Sequence, residues 1–182
     1  MPIAFATGNP HKVARIASIL DQPVIQTEID LPEVQAVDVR EVIEAKTRAA
    51  YQSLGQPVLV EDTSLSFRAW NGLPGALIKW FLSTVGNDGL CRMLSPFEDR
   101  RATAETCLGY FDGRAFVVFS GKVEGTIVAQ PRGERGFGWD PIFQPQGSEK
   151  TFAEMTSEES APVDMRRLAA LQLKAYLNRS DL

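Results

Sequence analysis

The sequence predicts an α/β fold, and three observations lead there. Apolar, strand-like runs alternate with amphipathic helical segments through the first third of the chain. An Asp-Gly pair, Asp112-Gly113, sits between two further strand-like runs. A stretch rich in Ala and Leu closes the sequence as a helix.

The chain opens on the apolar run 3–6, a buried strand, broken by Thr7-Gly8-Asn9-Pro10. Val13, Ile16, Ala17 and Leu20 then recur at the spacing of one helical face. Residues 24–28 form a second strand and 30–33 a loop. Val39, Val42, Ile43 and the stretch 46–50 carry a second amphipathic helix. Residues 57–60 make an apolar strand that ends in Glu61-Asp62-Thr63. After a loop at 71–75 come helices near 76–85 and 89–94. The strands 103–111 and 115–119 flank Asp112-Gly113, which predicts a hairpin with a type I′ turn. Residues 121–128 add a further antiparallel strand. The loop 131–140 is glycine-rich and polar but carries Phe137 and Trp139. The final helix runs over 162–177, with Leu168, Leu171 and Ala175 on one face.

The 182 residues suit one domain. A chain of this length buries roughly 70% of its extended surface, enough to fold without staples. Hydrophobic residues at 44% and charged residues at 23% are those of a globular protein. A formal net charge of -4 argues against a nucleic-acid partner, which needs a basic surface. No apolar run reaches the length of a membrane span, and the first residues lack a signal-peptide pattern. These features predict a cytoplasmic protein with no membrane partner. Cys91 and Cys107 are expected to be reduced and buried.

Four segments can carry chemistry. Thr7-Gly8-Asn9-Pro10-His11-Lys12 joins a strand to a helix, where backbone N–H groups attract anions and Lys12 adds a cation. Taken alone, the segment reads better as a plain strand-to-helix turn with a surface lysine. Glu61-Asp62 at a strand end puts two adjacent carboxylates on opposite sides, so one enters a given pocket. Such a group holds Mg2+ or orients a water, or simply caps a turn. Glu33 offers another carboxylate. Gly136-Phe137-Gly138-Trp139-Asp140-Pro141 sets two aromatics between glycines, suited to stacking on a base or to anchoring the loop in the core. Lys79 follows the Leu73-Pro74-Gly75 turn, and His11 is the sole histidine.

Taken in order, these segments, with Val60-Glu61-Asp62-Thr63, Lys79-Trp80-Phe81 and Phe152-Ala153-Glu154-Met155, resemble the inosine triphosphate pyrophosphatase family across nearly the whole chain. The resemblance implies a long mixed β-sheet flanked by helices, in two lobes with a central nucleotide cleft, the whole chain forming one pyrophosphatase domain. It implies Mg2+-dependent cleavage of ITP, dITP or XTP to monophosphate and pyrophosphate, with Mn2+ an acceptable metal, and a homodimer. Lys12 with the Thr7, Gly8 and Asn9 backbone would grip the triphosphate, and Lys46 and Lys79 would neutralise more of its charge. Glu33 and Asp62 would hold the metal. Asp62, with Glu61 as substitute, would activate the attacking water, and Thr63 would contact the substrate. Phe137 would stack on the base, Gly138 and Trp139 would shape that wall, and Asp140 would meet the base edge or order the loop.

One region departs from the family pattern. Ser160 stands where a lysine is expected, and Asp164-Met165-Arg166 replaces Ser-His-Arg, so Arg166 alone remains of the base-reading set. Asp164 is an acceptor where donors are expected, which favours an amino-bearing base edge. Alternatively it caps the last helix and faces solvent. The same chemistry on another nucleotide is therefore one alternative, and a non-catalytic nucleotide-binding relative is another.

Overall fold

The structure, a computed structural model, describes residues 2–180. Its elements run β1 (Ile3–Ala6), α1 (Pro10–Leu20), β2 (Val24–Thr27), α2 (Val39–Leu54), β3 (Val58–Phe67), β4 (Pro74–Gly75), α3 (Ile78–Thr84), α4 (Gly86–Met93), β5 (Arg101–Phe111), β6 (Phe116–Ile127), β7 (Phe143–Pro145), α5 (Ser157–Ser160) and α6 (Met165–Ser180). Single 3-10 turns occur at Arg68–Trp70 and Ala161–Val163. Among the described residues, seven strands form one mixed sheet in the order β2-β1-β3-β5-β6-β7, with β4 paired to β3 off that path. β1 is parallel to β2 and β3, whereas β4 and β7 pair antiparallel. The α/β class and the mixed sheet both hold.

The chain divides into two compact units. The first holds residues up to 63, 106–121 and those from 165 onward; the second holds 64–105 and 122–164. In the first unit, Ile3, Phe5, Ile16, Leu20, Leu59, Leu108, Leu173 and Leu177 share one core. Each such side chain contributes roughly 1.5–3 kcal/mol when fully buried. Ile16 and Leu20 are the buried residues of α1, on the face that the periodicity predicts. Asp38 caps α2 by accepting from the Arg40 N–H at 2.8 Å. In the second unit, Trp139, Phe143 and Phe152 pack ring against ring, with Trp139 and Phe143 centroids 5.6 Å apart.

Four readings change. The strand expected to end at Glu61-Asp62-Thr63 continues as β3 to Phe67, because the buried Glu61 is matched by cations and apolar Leu65 and Phe67 carry the strand on. Residues 115–119 and 121–128 are one strand, β6; Gly121 does not interrupt it. The hairpin turn is not type I′: of the Asp-Gly pair only Gly113 has positive φ (92°). Asp112 instead accepts from the Arg114 and Ala115 N–H groups, which widens the turn. The last helix starts at Met165, and its buried face is Ala169, Ala170, Leu173 and Leu177, with Leu171 exposed. The two alanines let α6 approach the core, and that shifts the buried stripe away from Leu171 and Ala175.

Candidate active site

The segment Thr7-Gly8-Asn9 links β1 to α1. Asn9 is the N-cap: its Oδ1 accepts from the His11 and Lys12 N–H groups at 3.0 and 3.4 Å, and its own N–H donates to Thr7 Oγ1 at 3.1 Å. Pro10 in the first turn and the absence of any acidic residue there leave the helix start suited to an anion. Gly8, Asn9 and His11 are exposed, and Lys12 projects from this same first turn.

Lys12 points to β3. Its Nζ lies 2.9 Å from Glu61 Oε1. Arg166, in the first turn of α6, donates from Nε to Glu61 Oε2 at 2.5 Å and from Nη2 to Oε1 at 2.9 Å. The Glu61 side chain is only 1% exposed, so one buried carboxylate holds two cations. Burial pushes this carboxyl up, but the Arg166 hydrogen bond and the Lys12 and Arg166 charges outweigh it and hold Glu61 below its ordinary value. Gly121 of β6 explains how α6 delivers Arg166. A Cβ there would lie 2.0 Å from the Met165 carbonyl, so only glycine lets the helix start sit on the strand.

Asp62, the next residue, pairs elsewhere, as alternation along a strand requires. Its Oδ2 accepts from Lys46 Nζ of α2 at 2.8 Å, and its Oδ1 accepts from the Thr63 N–H at 2.8 Å. Both side chains of this pair stay partly open to solvent. Glu33 lies in the exposed stretch between β2 and α2, where its backbone carbonyl accepts from Gln35 Nε2. Among the described residues, no group of three or more His, Cys, Asp or Glu could hold a metal ion. Carboxylate oxygens such as those of Asp62 are the kind of donor Mg2+ takes, alongside waters and the phosphate oxygens of its substrate.

In the second unit, Lys79 lies on the exposed face of α3. The two loop aromatics separate: Phe137 is 69% exposed, whereas Trp139 is 8% exposed and anchors the loop against Phe143 and Phe152. Asp140 orders the loop, its Oδ2 accepting from the Phe137 N–H at 2.9 Å. Asp164 and Met165 are buried, so the reading of Asp164 as a solvent-facing cap is corrected; the close seat of α6 on Gly121 draws this segment inward. Cys91 and Cys107 are free and buried as expected. A pocket of about 250 Å³ lined by Ser66, Arg68, Arg101 and Glu124, among others, contains none of the predicted site residues. The Arg166–Glu61 pair escaped the sequence reading, since 105 residues separate the partners and no local pattern marks them.

The pattern of the Ham1 family matches residues 3–176. The chain belongs to the Ham1 family. Among its relatives, the inosine triphosphate pyrophosphatase of Schizosaccharomyces pombe is 46% identical, over 96% of this chain and 94% of that protein. The inosine triphosphate pyrophosphatase of Yarrowia lipolytica is 44% identical, over 97% and 96%. Solved Ham1 structures share the fold. That of the Staphylococcus aureus Ham1 protein superposes with a TM-score of 0.86 at 27% identity, over 99% of this chain and all of that one (100%). A nucleoside-triphosphatase / dITP/XTP pyrophosphatase from Mycobacterium abscessus gives 0.79 at 29% identity, over 95% and 98%. The family resemblance drawn from the motifs therefore holds, and this Ham1 chain carries it from end to end.

Proposed function

We propose that this Ham1 protein is a Mg2+-dependent nucleoside triphosphate pyrophosphatase that cleaves ITP, dITP and XTP to the monophosphate and pyrophosphate. The observation that carries the reading is the pairing of two lysines with adjacent carboxylates on β3, Lys12 with Glu61 and Lys46 with Asp62. Cations poised beside a helix start suit a polyphosphate, and a part-exposed carboxylate suits an attacking water. The base preference follows the relatives, which carry the inosine triphosphate name at 41–46% identity. That also makes the alternative of another nucleotide the weaker one. A non-catalytic relative is weaker still, because Lys12, Glu33, Asp62 and Lys79 are all retained.

In this proposal the chain is one pyrophosphatase domain. Thr7, Gly8, Asn9 and Lys12 take the phosphates, and Lys46 and Lys79 neutralise charge that builds on the departing pyrophosphate. Asp62 accepts a proton from water beside Thr63. The water oxygen bonds to the α-phosphorus, the bond from that phosphorus to the bridging oxygen breaks, and pyrophosphate leaves. The proton then passes to solvent. Glu61 serves to hold Lys12 and Arg166, both of its oxygens being engaged. Arg166 is the base-edge reader. Phe137 stacks on the purine, with Gly138, Trp139 and Asp140 framing it. Mg2+, or Mn2+ in its place, would be held by Glu33 and Asp62 and would screen the phosphates. No described helix is long and apolar enough to cross a membrane.

Pyrophosphate release from a nucleotide panel tests the reading. ITP, XTP and dITP are expected to exceed the ordinary nucleotides by about 100-fold or more in kcat/KM, as a base edge read by hydrogen bonds allows. Chelator is expected to abolish turnover and added Mg2+ to restore it. Equal rates on all nucleotides would remove the base assignment, and full activity in chelator would remove the metal. The proposal includes a homodimer, which rests on the family resemblance alone. Sedimentation at micromolar concentration is expected to give a dimer; a monomer would overturn that part.

A further inference from the structure

We propose that Asn87 is a positioning residue for the aromatic loop: from α4 its carboxamide fixes the Gly138 carbonyl and thereby the presentation of Phe137. The inference rests on the reading of Phe137 as the base-stacking ring. That ring is 69% exposed, so most of its surface has no packing to hold its direction. Gly136 and Gly138 on either side both adopt positive φ, a conformation that gives the backbone latitude. A stacking surface on such a loop needs its peptide groups fixed from outside.

Both flanks of Phe137 are fixed. On one side the Phe137 N–H donates to Asp140 Oδ2 at 2.9 Å. On the other, Asn87 Nδ2 donates to the Gly138 carbonyl at 2.9 Å, across 51 residues of sequence. Gly138 also lies beside α3, where a Cβ would sit 3.7 Å from Leu82 Cδ1. The loop is therefore tethered to the α3–α4 helix pair as well as to itself.

The other end of the Asn87 carboxamide supports this. Among the described residues, Asn87 Oδ1 is a buried side-chain atom with no hydrogen-bond partner. A buried acceptor left unpaired costs stability, and asparagine is a weak helix former. Turning the amide over would pair that oxygen no better and would set it against the Gly138 carbonyl oxygen. The side chain keeps this arrangement for its one donated bond. That bond serves the loop and not the helix that carries it.

The test is steady-state kinetics on ITP, together with competitive inhibition by inorganic tripolyphosphate, which has no base. Phe137→Ala is expected to raise KM for ITP about tenfold, the scale of one lost stacking contact. Asn87→Ala is expected to raise it about three- to tenfold, with kcat within about twofold. Asn87→Asp, isosteric but presenting oxygen to oxygen, is expected to raise it more. The inhibition constant of tripolyphosphate stays unchanged in all three. An unchanged KM in the Asn87 variants, with Phe137→Ala impaired, overturns the inference and leaves the stacking role standing. No effect of Phe137→Ala removes the stacking role and the inference with it. A parallel loss of tripolyphosphate binding in the Asn87 variants makes Asn87 a general structural residue and also overturns it. Thermal melting of each variant identifies a folding defect, and the isosteric Asn87→Asp gives the kinetic answer if Asn87→Ala is unstable.

Discussion

Replacing Asp62 with asparagine is expected to lower kcat by about 100- to 10,000-fold, the range for removing a general base, while the nucleotide still binds. The substitution is isosteric. Asparagine retains a carbonyl oxygen that accepts from the Thr63 N–H, as Oδ1 does now. What it loses is a negative charge beside Lys46, one of the two carboxylates proposed to hold Mg2+, and the capacity to take a proton. Lys46 remains available to the phosphates, so affinity measured by calorimetry is expected to change little or to rise. Lys46→Met provides the contrast, with weakened binding as its main effect. An Asp62→Asn variant that turns over at near the parent rate would place water activation elsewhere, with Glu33 the next carboxylate to examine.

Glu61→Gln is expected to give the largest loss of stability of any single change at the site. Glu61 pairs with both Lys12 and Arg166, and its side chain is 1% exposed. Neutralising it removes the charge that accepts from two nitrogens of the buried Arg166; breaking a buried pair in this way costs about 3–5 kcal/mol. For a chain of this size that is a fall of roughly 6–20 °C in Tm. Lys12 suffers less, because its side chain is 25% exposed and can turn to water. The double variant Glu61→Leu, Arg166→Met is therefore expected to be more stable than Glu61→Gln alone, since a buried pair exchanged for apolar groups is often neutral. Its activity is expected to stay low, because nothing then orients Lys12. Urea unfolding of Glu61→Leu, Arg166→Met and the double reads the coupling. Additive losses would mean that Glu61 and Arg166 do not act as a coupled pair.

The sequence made some parts of this molecule legible and hid others for physical reasons. Local patterns worked where the structure is local. The spacing of Ile16 and Leu20 located the buried face of α1, and Thr7-Gly8-Asn9-Pro10 marked its capped start. The split between Phe137 and Trp139 was half legible: one ring was expected to anchor the loop, but which one depends on Phe143 and Phe152. Strand ends were harder. Glu61 and Asp62 look like a polar terminus, yet β3 passes through them because Lys12, Arg166 and Lys46 supply charges from three different helices. The stripe of α6 was misplaced because Leu171 outranks Ala169 and Ala170 in hydrophobicity, whereas close approach favours the smaller residues. Contacts over long sequence separation, Glu61 with Arg166 and Asn87 with Gly138, have no periodicity to reveal them.

This Ham1 protein is expected to open the bond between the α- and β-phosphates. Phosphorus NMR of a reaction on ITP with Mg2+ reads that bond directly. The account requires inosine monophosphate and pyrophosphate to appear together in equal amounts, with no diphosphate at any time. Inosine diphosphate with inorganic phosphate would contradict it, and so would a nucleotide that binds and is never cleaved.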